Sequence, residues 1–208
     1  MKKNFKKFMS LALALCMVLS MSVFASAAGN VAEASGGSAT SNVTLSSTDD
    51  GTLSGDPAAT KMSVSVPTVL PIAVGTDGTV ATATDAKIVN NSYGAVRVAS
   101  VKIEAANSWH LTAFGDKASL ANEKVDSNKF GFSISIGGGE KKTTDNSSAA
   151  SQQLISQAIT GCYMSGNGDT TANSVAVSYD AIVTPVSEAV TNTAIASVLF
   201  IVEWDTAA

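Results

Sequence analysis

Cysteine, histidine and aromatic side chains are all scarce in this 208-residue chain, and each shortage removes a class of function. There are two cysteines and one histidine. Cys16 lies in an apolar N-terminal stretch, which leaves Cys162 alone, so the remainder of the chain can close no internal disulfide. A zinc site built on thiolates and imidazoles lacks ligands. A Ser-His-Asp triad would have to use His110, wedged between Trp109 and Leu111, where an exposed strand histidine is the plainer reading. Asp49-Asp50-Gly51 and Asp77-Gly78 lack the ligand spacing of a calcium loop and read as turn acids. Gly137-Gly138-Gly139 opens no helix, so it reads as flexible loop rather than phosphate cradle. No cofactor and no metal are expected. Paired carboxylates for glycoside cleavage have no signature in sequence. An aromatic content of 6% disfavours an extended sugar-stacking cleft. A secreted hydrolase therefore stands as the weakest alternative.

The N-terminus is the most explicit part. Lys2, Lys3, Lys6 and Lys7 precede an apolar run from Met9 to Phe24, and Ala25-Ser26-Ala27 supplies small residues for cleavage. The pattern predicts a signal peptide over residues 1–27. The apolar run, about 16 residues, is short for a membrane span. After cleavage no membrane partner is expected. Of the 13 Lys and Arg, four fall in that segment, against none of the 17 Asp and Glu. What remains is acidic, which argues against nucleic acid as a partner.

Residues 28–60 are rich in Ser, Thr, Gly and Ala, poor in large apolar groups, and read as a flexible arm with one strand-like island at Val43-Thr44-Leu45. The folded domain is expected over 61–208. Met62, Val64 and Val66 alternate with serines, and Pro67 and Pro71 place this region at a sheet edge. Asp77-Gly78 between short apolar runs predicts a hairpin. Val96 and Val98 share one parity, Val101 and Ile103 the other, which predicts a β-bulge at Ala99-Ser100. Phe130, Phe132, Ile134 and Ile136 alternate with small residues, the pattern of a half-buried strand. Leu154, Ile155, Ala158 and Ile159 would share one face of a short helix. Val175 to Val183 alternate again. The closing run Val198 to Val202 is apolar on both parities, which predicts a central strand covered on both sides and neighbouring the Val96–Phe114 stretch. Cys162 reads as a small buried thiol. Short strands, Gly/Asn/Asp turns and little helix predict an all-β fold, an antiparallel β-sandwich of Ig-like or jelly-roll-like type.

Trp109-His110-Leu111, after alternating strands and before Phe114, resembles the first Trp-x-Leu motif of WxL-type cell-surface proteins of Gram-positive bacteria. The closing strand resembles the position of that family's second motif, half present because Asp205-Thr206 follows Trp204. The opening Val64-Ser65-Val66-Pro67 is also similar. The resemblance implies an exported, non-enzymatic protein held non-covalently on the cell wall. Its partners would be peptidoglycan or other surface proteins, with Trp109, Leu111 and Trp204 as ligand contacts. Core packing of both tryptophans is the competing reading. A structural subunit that self-associates into fibres by strand donation from the 28–60 arm is the main alternative.

Overall fold

A computed structural model describes residues 45–206, apart from Leu53, Pro57 and Asn107. The expected signal peptide and most of the arm, with Val43 and Thr44, lie outside the described residues. The chain divides after Ser47, and the unit beginning at Thr48 is described here. Its first segment is a turn closed on itself, in which the Asp49 N–H donates to the Asp56 carbonyl at 3.0 Å.

The fold is an all-β, mainly antiparallel sandwich. The first sheet contains β1 (Val64–Ser65), β4 (Lys87–Asn90), β11 (Ser174–Val183), β7 (Lys129–Ile136) and β6 (His110–Leu111), in that order, with β8 (Lys142–Thr143) beside β7. The second contains β10 (Tyr163–Met164), β5 (Val96–Ala105) and β12 (Ala196–Trp204), with β9 (Ser151–Ile155) also on β5. β2 (Ile72–Val74) and β3 (Val80–Thr82) form the hairpin that Asp77-Gly78 predicts, with Val74 facing Val80. Gly78 takes a positive φ of 74°, a conformation that glycine adopts without strain. A single turn of helix, α1 (Ala118–Ala121), interrupts the loop after Phe114.

One core joins the sheets. Val96, Val98, Val101 and Ile103 of β5 pack in the same cluster as Phe130, Ile134 and Ile136 of β7 and Val177 and Tyr179 of β11. The predicted bulge is present. Ser100 faces Ile201, Val98 faces Val202, and Ala99 has no opposite residue. That extra residue turns both pairs, Val96 with Val98 and Val101 with Ile103, inward despite their opposite parity. Cys162 is fully buried. Tyr179 is buried too, its hydroxyl donating to the Pro71 carbonyl at 2.7 Å and accepting from the Ala83 N–H at 3.1 Å.

Three expectations fail. Residues 151–155 form strand β9, not a helix: Val101 faces Ile155, and pairing with the open side of β5 outweighs the helical spacing. β7 is buried on both faces, Ser133 being 1% exposed, because the small residues between its large ones admit the 113–114 backbone. A Cβ on Gly131 would lie 2.7 Å from the Ala113 carbonyl oxygen, so glycine is needed there for close approach. β12 is the converse case. It does neighbour β5, Trp204 facing Val96 and Ala196 facing Ala105, but it is an edge strand. Its residues alternate between half-buried and exposed.

Candidate functional site

The residues of the Trp-x-Leu stretch are built into the fold. Leu111 is buried in the core. Trp109 is half-buried and meets the Phe130 ring edge-on, with centroids 6.2 Å apart. A T-shaped aromatic pair of this kind is a packing contact. β6 is also not a continuation of β5: it pairs in parallel with β7, His110 facing Lys129 and Leu111 facing Phe130. His110 is exposed, its N–H bonded to the Asn128 carbonyl at 2.7 Å. Thr144 locks the following segment, donating its hydroxyl to the Thr112 carbonyl at 2.6 Å and accepting from the Phe132 N–H at 2.9 Å.

Trp204 lies elsewhere. It faces Val96 at the start of β5, whereas the Trp109 N–H bonds to the Ala106 carbonyl beyond that strand's end. Ten residues of β5 at ~3.3 Å each separate the two tryptophans by roughly 30 Å. They cannot form one aromatic site. The Trp204 ring covers Gly94, where a Cβ would sit 3.0 Å from its edge.

The Trp204 end of the second sheet gathers the chain's exposed tyrosines. Tyr93, 84% exposed, precedes Gly94, and Tyr163, 47% exposed, faces Arg97 across the β10–β5 pair. On the other side of Arg97 stand two carboxylates, Glu203 at 3.5 Å and Asp205 at 3.8 Å. The backbone of Gly166 presses against Tyr93 and Gly94, so the turn carrying Tyr93 is held against the loop that follows β10.

Tyr163 also borders an open depression lined by Glu140, Ala158, Ile159 and Thr160. Glycines build it. Gly137 and Gly161 have positive φ, and Gly137, Gly139 and Gly161 leave no room for a Cβ between the 137–139 turn and the Thr160–Gly161 backbone. The triple glycine is therefore a tight turn packed on its neighbour. It sets the Glu140 carboxylate, paired with Lys142 at 2.7 Å, beside Thr160 and Tyr163. Sequence reasoning missed Tyr93 and Tyr163. The available signal was Tyr93 within Asn90-Asn91-Ser92-Tyr93-Gly94, a polar turn that offers an aromatic ring no apolar neighbours.

Among the described residues, no group of three or more His, Cys, Asp or Glu is placed to hold a metal. No helix there is long and apolar enough to cross a membrane. The displaced carboxyl titrations have structural causes, in turns for Asp77 and Asp169 and in a long-range contact for Asp126. Asp77 and Asp169 are held below the usual carboxylate range, chiefly by the hydroxyls of Thr79 and Thr171, which donate at 2.6 and 2.7 Å. Asp126 is lowered in the same way by the Ser187 hydroxyl at 2.5 Å. All three are fully exposed; Asp77 and Asp169 lock their own turns, whereas Asp126 ties its loop to the segment after β11. Comparison with protein-family models, curated proteins and solved structures finds no match for this chain.

Proposed function

We propose that this is an exported, non-enzymatic protein of a Gram-positive cell surface, held non-covalently on the wall, with its binding site at the Tyr163 end of the second sheet. The observation that carries the reading is the exposure of two of the three tyrosines at one sheet end, one of them beside a depression that also presents Glu140 and Thr160. Exposed aromatic faces beside hydroxyl and carboxylate groups suit a wall polymer of sugars, since rings cover the apolar faces of the sugar while polar groups take its hydroxyls. This moves the site away from Trp109, half-buried against Phe130, and Leu111, buried in the core. Trp204 supports it from below by holding Gly94, next to Tyr93.

The test is pelleting with washed cell walls. Tyr163→Ala and Tyr93→Ala should each reduce the bound fraction while leaving the thermal midpoint close to that of the parent. Unchanged pelleting in the double variant would remove the site. A second reading, association with other surface proteins or further copies, is favoured by the open apolar edge of β12.

A further inference from the structure

Sheet edges invite other chains, and proteins usually blunt them with short strands, proline, charge or bulges. Most edges here are blunted. β1 is two residues long and runs toward Pro67 and Pro71, and β6, β8 and β10 are two residues each. The pairing of β9 with β5 is broken by a register shift. β12 is the least protected: nine residues, no proline, no lysine or arginine, and a single charge, Glu203, while the bulge in its ladder with β5 places the extra residue, Ala99, on β5 and not on β12. Leu199 and Ile201 on its outer face are 56% and 44% exposed.

Its free backbone groups can be assigned. The Ala106 N–H donates to Ile195 O at 2.9 Å, and the Asp205 N–H donates to Ala95 O at 3.0 Å, so odd-numbered residues turn their backbone toward β5. Alternation along an antiparallel strand then turns the N–H and C=O of Val198, Phe200 and Val202 to the open edge. Among the described residues, no strand pairs there.

We propose that this edge pairs antiparallel with β12 of a second copy, about a two-fold axis through Phe200, to make one continuous sheet across the dimer. The sequence argues for that occupant. Val198-Leu199-Phe200-Ile201-Val202 reads almost the same in both directions. In this register Phe200 faces its own counterpart, Val198 faces Val202, and Leu199 faces Ile201 on the solvent side. Glu203 meets Ser197, so no like charges are opposed. A slip of two residues would set either Glu203 against Leu199 or Ser197 against Ile201, and a slip of one would misalign the backbone groups. The interface is isologous, as a two-fold requires. It lies across β5 from Tyr163, and does not depend on the wall-binding reading.

Sedimentation of the purified protein over a concentration series tests it. The expected result is a monomer–dimer equilibrium. Leu199→Lys with Ile201→Lys in one chain opposes lysines across the axis and should give a monomer. Leu199→Lys with Ile201→Glu in one chain sets lysine against glutamate at both places and should keep the dimer. Both pairs sit on an exposed face, so thermal unfolding of the dilute protein checks that each variant is folded. A parent that stays monomeric, filaments in place of a closed dimer, a dimer that survives the double lysine, or failure of the lysine–glutamate chain to associate would each overturn the proposal.

Discussion

β7 and β12 exchange the roles that their sequences suggest. β7, with large residues on one parity and Gly or Ser on the other, reads as half-exposed, yet it is buried on both faces. β12, apolar on both parities, reads as enclosed, yet it lies at an edge with Leu199 and Ile201 in solvent. Periodicity reports which face of a strand wants burial, whereas tertiary structure decides what covers the other face. On β7 the small residues are what allow another segment to lie close. On β12 the large residues exceed what the described residues cover, which is the condition for a partner.

The sharpest test of this contrast is Phe132→Ala. Phe132 is 6% exposed and stacks on Tyr179 with centroids 6.1 Å apart. Its loss should cost ~3–5 kcal/mol in denaturant unfolding. A cost below about 1 kcal/mol would mean that β7 is not the enclosed strand. Gly131→Ala comes next: with the Ala113 carbonyl 2.7 Å from the new methyl, overpacking should cost about 1–3 kcal/mol by the same measurement. A silent Gly131→Ala would show that the second face of β7 is open after all.

Trp109→Ala should destabilise by about 1–3 kcal/mol, less than full burial would give, because the ring is half-exposed. Its wall pelleting, measured well below the midpoint, should match the parent. His110→Ala, on the exposed face, should change neither. Selective loss of pelleting in Trp109→Ala, with stability intact, would return the site to the Trp-x-Leu stretch. On β12, Leu199→Ala should shift the dilute protein's unfolding by no more than about 0.5 kcal/mol, as expected of a surface position. A core-sized loss there would erase the contrast.

The smallest effect is on pH. Asp77, Asp126 and Asp169 have carboxyl pKa values lowered in the folded state, chiefly by hydroxyl donors. Their contribution is therefore present above the unfolded carboxylate pKa and lost as pH falls through the lower folded value. The midpoint should stay flat from neutral pH down to about pH 4 and decline below it. Asp77→Asn should lessen that acid dependence without altering stability at neutral pH by more than a surface change would.

Much of the fold was legible because its signals are local. The bulge at Ala99-Ser100 follows from a parity change within one strand, and the hairpin at Asp77-Gly78 follows from turn chemistry. The pairing of β5 with β12 was also legible, since these are the strongest strand-forming runs. The site was not. Tyr93 and Tyr163 lie seventy residues apart and fall at the same end of the sheet only because β10 pairs with the start of β5. Trp109 and Trp204, which sequence pattern joins as two copies of one motif, are separated by the length of β5.

By itself, then, the sequence determined an all-β chain, the facing of most strands and the burial of Cys162. Each of these rests on residue chemistry or on spacing within a few positions. Only the tertiary structure decided that residues 151–155 are a strand, that β7 is central and β12 an edge, and that the exposed tyrosines share one end. Those outcomes depend on which backbone groups find partners far along the chain. Hydrogen-bond pairing between strands is non-local, and no period in a single segment encodes it.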